Sequence, residues 1–404
     1  MKKLSFLGLC LLTAFAASAQ NNLVKEVERT IKGGGVNYAD ARAQIAPALT
    51  NEESKNNAFT WYVAGKLEFA CYDDLYGKKA IGQPVDGKEI GNALINGYKM
   101  YMQALPLDTV VNEKGKVKTK YSKDIVKTIA GHYGDFDNAA RFLWEAQDFK
   151  GAYAAWDIYL TLPQHKAFAK ELALSPDSIM GELAYNQALA AWQADCLDSA
   201  LIAFDRARAF GYNKKQLYDY AISVAVQNQR NDVVYDYAAE GHKLYGKEDS
   251  KFISLVINGY IESKDYAKAQ ATIEEALALD PTNGELYDVM GIIYDSQKND
   301  EKAVECYKKA IELNPTFARA QYNLGRKICE KAYAISDGAK DATQAEYLKL
   351  REEQIDPLFR EAASHLEEAY KLDENQRDAL RYLRNIYYNL NDEENLKRIE
   401  LLQL

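Results

Sequence analysis

The sequence predicts an all-α chain built as a solenoid of antiparallel helix pairs, and three observations carry that expectation. Only 8 of the 404 residues are proline, and long helices exclude proline because it lacks a donor N–H and clashes with the preceding turn. Apolar residues recur at the i, i+3, i+4, i+7 spacing of one helical face. One pattern of large and small residues also returns after 34 residues, with Pro281 and Pro315 at the same place in successive copies. Hydrophobic residues make up 48% and charged residues 27%, a globular composition. A solenoid also accommodates the length, because each repeat touches only its neighbours.

Taken in chain order, Tyr38, Ala41 and Ile45 mark an opening unit after the flexible break Gly33-Gly34-Gly35. A first helix is expected over Ala58 to Tyr72, carrying Trp61 and Ala64-Gly65, followed by a loop from Gly77 to Glu89. The run Gln103 to Asp108 reads as the end of a second helix. Residues 109 to 121, with Lys114, Lys116, Lys118 and Lys120, read as either a small hairpin or a mobile loop. Ala152 with Trp156, and Ala200 with Phe204 and Ala207, mark second helices; Tyr218 to Gly241 keeps the repeat length but not its pattern. Late in the chain Asn323-Leu324-Gly325 opens a first helix whose partner (Phe359, Ala362, Leu366, Ala369) arrives only after an insertion, Lys331 to Asp356. Leu380, Leu383 and Tyr387 form the last unit, and Leu396, Ile399 and Leu402 a closing helix.

The clearest copy runs Tyr287, Met290-Gly291, Tyr294, Ala303, Tyr307, Ala310, Pro315, and its neighbour runs Val256, Tyr260, Ala269, Ile273, Ala276, Pro281. Gly291 and Ala303 fall where two packed helices approach most closely and only a small residue fits. Thr282-x-x-Glu285 reads as a capping box opening the next helix. These residues resemble the tetratricopeptide-repeat family, whose unit is W-x2-L-G-x2-Y, A-x3-F and P in 34 residues. The resemblance implies a right-handed superhelical solenoid. It suggests three segments: 1–19 a signal peptide, 20–174 degenerate helical hairpins with insertions, and 175–404 tetratricopeptide repeats with a capping helix.

The beginning of the chain has the features of an export signal. Lys2 and Lys3 precede an apolar run from Leu4 to Ala16, and Ala17-Ser18-Ala19 offers a small-residue cleavage site. Cleavage after Ala19 leaves Gln20 at the front and takes the formal charge from −9 to −11. Leu9 before Cys10 is not the small residue a lipidation signal requires. The expected location is the periplasm or envelope of a Gram-negative bacterium, with no transmembrane segment in the mature chain and peripheral association with the envelope left open. Of the remaining cysteines, Cys71, Cys196, Cys306 and Cys329, none forms a CxxC spacing; Cys306 and Cys329 are the pair to test for a disulfide.

No catalytic signature stands out. His132, His165, His242 and His365 share no metal-binding spacing, and HExxH, GxSxG and phosphate-loop motifs are missing. No cofactor is expected, and the acidic charge argues against nucleic acid. A cluster of Cys71, His132 and nearby acids would be the one hint of an enzyme. The family resemblance instead implies partner proteins, with peptides or helices lying in a concave groove lined by first helices. In the late groove that points to Arg319, Tyr322, Asn323, Arg326, Arg381, Asn385 and Tyr388. Its arginines would suit an acidic peptide, although the family's carboxylate clamp is not reproduced; the preceding unit presents Asp288, Ile292 and Asp295. The expected function is a non-catalytic interaction scaffold, with glycan or small-ligand binding as the alternative suggested by 29 tyrosines.

Overall fold

The computed structural model describes residues 20–111, 117–246 and 248–402. The proposed signal peptide, Lys114 and Lys116 lie outside them. The described chain is helical apart from one short hairpin. It forms two compact units, the first ending at Tyr237 and the second starting at Ala238.

In the first unit, α1 (residues 20–33) ends where Gly34 and Gly35 turn left-handed. Then come α2 (Tyr38–Thr50), α3 (Ala58–Ala80) and α4 (Gly87–Leu107). Helix α3 runs straight through Gly77, so the expected loop shrinks to residues 81–86. A single exposed glycine weakens a helix without breaking it; the chain turns at Ile81–Gly82, where Gly82 is left-handed, and the Asp86 side chain caps α4 by accepting from Lys88 N. The 109–121 segment contains a two-stranded antiparallel hairpin, β1 (Val110–Val111) with β2 (Val117–Lys118). Next come α5 (Ser122–Gly131), α6 (Asp135–Glu145), α7 (Phe149–Thr161), α8 (Asp177–Gln193), α9 (Leu197–Ala209), α10 (Lys215–Gln227) and α11 (Asn231–Tyr245), which carries the boundary between units.

The second unit continues with α12 (Lys251–Glu262), α13 (Tyr266–Leu279), α14 (Gly284–Ser296), α15 (Asp300–Leu313) and α16 (Ala318–Gly338). The insertion forms α17 (Gln344–Leu350) and a π turn (Arg351–Ile355) that leads directly into α18 (Asp356–Leu372). Both helices of this hairpin are therefore lengthened. Helices α19 (Arg377–Asn389) and α20 (Glu393–Leu402) complete the unit.

One turn recurs. Gln147, Asp195, Gln229, Lys264, Lys298 and Asn391 all have φ between 55° and 60°, and each sits between the two helices of a hairpin. Asp195, Gln229, Lys264 and Lys298 follow one another at intervals of 34, 35 and 34 residues. After each, the next N–H reaches back to a carbonyl five residues earlier: Asp148 to Leu143, Cys196 to Ala191, Arg230 to Ala225, Asp265 to Tyr260, Asn299 to Tyr294 and Asp392 to Tyr387, all at 2.8–2.9 Å. This is the Schellman closure of a helix C-terminus. At four of the six turns that next residue is Asp or Asn, and its side chain then caps the second helix, as Asn299 does by accepting from Lys302 N. The turn thus closes one helix and opens the next, and it extends the repeat through α10–α11, where the residue pattern had faded.

The small positions behave as the packing argument requires. A Cβ on Gly291 would stand 2.5 Å from the ring of Tyr307, and one on Gly65 2.2 Å from the ring of Tyr101. Ala303 is fully buried beside Tyr307 in the core that continues through Leu324, Phe359 and Leu383. One capping assignment needs correction. Thr282 donates to Asp280, and Asn283 is the cap of α14, accepting from Glu285 N and Leu286 N. Pro281 fixes the turn so that Thr282 falls one residue too early. The capping box lies instead at Thr343 and Glu346, opening α17. The four described cysteines are free thiols. Cys306 packs against the cluster around Ile273 and Ile293, while Cys329 lies in the other cluster beside Phe359.

Ala303→Leu is expected to lower stability in urea by about 1–3 kcal/mol through overpacking. Cys196 is a second-helix cap position that lacks a capping oxygen; Cys196→Asp is expected to raise stability by about 0.5–2 kcal/mol, read as a higher melting temperature.

Candidate functional site

In the second unit the first helices of successive hairpins, α14, α16 and α19, carry the residues singled out from the sequence. Of those on α16, Arg319, Asn323 and Arg326 reach residues of α14. Asp288 is 0% exposed, and both its oxygens are used: Arg319 Nε donates to Oδ2 at 2.6 Å and Asn323 Nδ2 to Oδ1 at 3.0 Å. Arg326 pairs with Asp295 and, at 2.7 Å, with Glu330. Lys327 is 7% exposed and reaches Asp295 at 2.9 Å, Asp300 at 2.6 Å and Glu330 at 2.8 Å. A buried ammonium is tolerated only when so surrounded. Burial alone would lower the Lys327 pKa, but its bonds to Asp300, Glu330 and Asp295 hold it above the ordinary lysine value. In the same way burial would raise Asp295, and Lys327 and Arg326 pull it below the usual carboxylate range.

This corrects the expectation of three arginines forming a free fork. Arg319 and Arg326 are tied to the preceding repeat and stitch α16 to α14. Lys327, hidden among charged residues in the sequence, is the hub of that network. Its spacing to Asp295, close to one repeat length, was the available signal.

The α19 side differs. Arg381 is 67% exposed, lies over the ring of Tyr382 at 5.6 Å, and makes only a long 3.6 Å contact with the exposed Asp378. Tyr382 meets Tyr322 edge-on at 6.2 Å. Asn385 is exposed, and Tyr388 is 72% exposed. Of the predicted set, then, Arg319, Asn323 and Arg326 are internal ties, while Tyr322, Arg381, Asn385 and Tyr388 belong to an aromatic and polar surface, with Tyr382 as the residue that sequence reading missed.

Cys71 and His132 do not assemble a reactive pair. Cys71 is buried toward α2, where Arg42 holds Glu68 in a two-pronged ion pair and donates to the sulfur at 3.3 Å. Burial pushes this thiol up to about 11, the opposite of activation. His132 stacks on Phe69 and sits 2.9 Å from Asp135. Among the described residues no group of three or more His, Cys, Asp or Glu side chains is placed to hold a metal ion. Among them, too, no helix is long and apolar enough to cross a membrane.

Comparison with known proteins places the repeats. The model described as TPR repeat matches residues 291–326, and that described as tetratricopeptide repeat matches residues 260–283. The human RANBP2-like and GRIP domain-containing protein 8 is 30% identical over 79 residues, 20% of this chain. The human E3 SUMO-protein ligase RanBP2 is 29% identical over the same length. The matched stretch spans only 4% and 2% of those two proteins. Among solved structures, YrrB, a TPR protein with an unusual peptide-binding site, is 18% identical and covers 50% of this chain and 96% of its own, with a TM-score of 0.33. A TPR repeats protein from Bacteroides fragilis is 18% identical, covers 63% and 98%, and has a TM-score of 0.31. PilF of Pseudomonas aeruginosa is 12% identical, covers 56% and 91%, and has a TM-score of 0.38.

Replacing Lys327 by Met is expected to cost about 1–3 kcal/mol, since three carboxylates lose a buried partner. The same change at Lys340, whose pair with Asp337 is exposed on both sides, should cost under about 0.5 kcal/mol; urea midpoints of the two variants provide the check. Residues 260–283 and 291–326 are tetratricopeptide repeats, set within a longer series of hairpins closed by the same turn.

Proposed function

We propose that the protein is a non-catalytic scaffold of the cell envelope that holds a partner peptide or helix against the first-helix face of its second unit. The observation that carries this reading is the contrast along that face. Its α14–α16 side is neutralised internally by the Asp288 and Asp295 networks, whereas its α19 side leaves Arg381, Asn385 and Tyr388 open beside Tyr322 and Tyr382. Tyrosine and arginine are the side chains most often used as binding anchors, because they offer large contact area together with hydrogen bonds. Solenoids of helix pairs offer such faces in general. Export supports the envelope location, and rests on the signal-like residues 1–19 and the small-residue site ending at Ala19.

Crosslinking in native envelopes, followed by affinity capture of the mature chain, tests both parts. Wild type should recover a stoichiometric protein partner, and Arg381→Glu with Tyr388→Ala should lose it while melting at the same temperature. Equal recovery by the double variant would remove the α19 face from the reading. A mature chain that retains residues 1–19 and stays in the cytoplasmic fraction would remove the envelope location.

A further inference from the structure

One concavity of the first unit lies outside the hairpins closed by the recurring turn. It measures about 960 Å³ and is walled by the end of α4, the return from β2 into α5, and the turn after α7. Met102, Leu105, Pro106 and Val126 give it an apolar floor; Lys123, Lys127 and Lys166 stand at its rim against the single acid Glu171. These three lysines are exposed, and among the described residues no carboxylate forms an ion pair with any of them.

The walls are built to stay in place. Asp108 is buried and accepts from the backbone N–H of Lys120, Tyr121 and Ser122 and from the Ser122 hydroxyl, at 2.7–3.0 Å. It pins the return from β2 to the start of α5 and occupies the helix N-terminus. Any anion in the concavity is therefore left to the lysines. On the opposite wall Phe168 is fully buried and anchors the turn that presents Lys166. Lys123 and Lys127 lie one helical turn apart on α5, with Val126 between them, so two ammonium groups and an apolar surface face the same space.

We propose that this concavity binds an amphipathic organic anion: a small molecule with an apolar body seated on Leu105, Pro106 and Val126 and an acidic group among Lys123, Lys127 and Lys166. The volume suits a single small ligand. The apolar floor disfavours a simple inorganic anion as the best occupant, and three lysines against one acid in the lining disfavour a cation. The acidic group gains from several ammonium donors at once, and the apolar body gains from leaving water.

The test uses the full chain with 8-anilinonaphthalene-1-sulfonate, whose fluorescence rises in an apolar site, and laurate as competitor. One saturable site is expected, displaced by laurate and not by dodecyltrimethylammonium. Lys127→Glu with Lys166→Glu should weaken it by about ten-fold or more, and Lys127→Gln with Lys166→Gln should weaken it less, with the circular-dichroism melt unchanged in both. Arg381→Glu should leave it as in wild type. The proposal is overturned if binding does not saturate, if the cationic amphiphile competes as well as laurate, or if the charge-reversed pair binds as tightly as wild type.

Discussion

A helical hairpin can be repeated along a chain only if its turn reverses direction in the same way each time, and here a single left-handed residue does that. Six non-glycine residues adopt φ near 57°, a conformation that costs an ordinary L-residue roughly 1–2 kcal/mol. The cost is offset at once. The carbonyls left over at the end of the first helix are taken up by the following N–H groups, and in most turns an Asp or Asn side chain satisfies the first donors of the second helix. With the turn fixed, the axial offset of the two helices is fixed too. That offset brings Gly291 against Tyr307 and leaves Ala303 no room for a larger side chain.

The regular spacing has an electrostatic consequence. Equivalent positions on neighbouring first helices become neighbours in space, so residues about one repeat apart can pair. Asp288 and Arg319 are 31 residues apart, as are Asp295 and Arg326, and Asn323 lies 35 from Asp288. Buried charges of this kind add little net stability compared with apolar packing, yet removing one partner is expensive. Their effect is on register: a repeat displaced along its neighbour would leave Asp288 buried without donors. The same pairing consumes the arginines that would otherwise give this face a positive field. What remains available to a partner on α19 is aromatic area beside the exposed Arg381 guanidinium.

Helix placement, the repeat and the small packing positions were legible because each depends on local residue type at a fixed interval. Trp156, Phe204 and Tyr307 all fall in the core where the interval put them. The cap at Asn283 was not legible, because a one-residue shift imposed by Pro281 leaves the Thr282–Glu285 spacing intact as text. The left-handed turn was hidden for a different reason. Glycine, its usual marker, is absent, and Gln, Asp, Lys and Asn take the position instead. The candidate site was half legible. Which residues line the first-helix face followed from the interval, but which of them are already spent on α14 depended on side-chain reach across helices, and Lys327 shows how an apparently solvated lysine can be the most enclosed cation of the set.

The one described hairpin from α6 onward without that turn is α16–α18, and its insertion is tied back into the fold instead of projecting freely. Ile355 is buried in the same core as Leu324 and Leu383, with Tyr347 and Leu350 packed beside it. The Tyr347 and Ser336 hydroxyls lie 3.0 Å apart across the two arms. Arg351 grips Asp356 and donates at 2.6 Å to the carbonyl of Asn389, one of the last of α19, where a cation is favoured by the unpaired carbonyls and the helix dipole. Asn389 in turn donates to Tyr333 on α16. The insertion therefore buttresses the C-terminal end of α19 from one side. The neighbouring Tyr388, pointing to solvent from that end, is carried on a backbone held by these contacts, so a partner meeting it would lose little backbone entropy in the process.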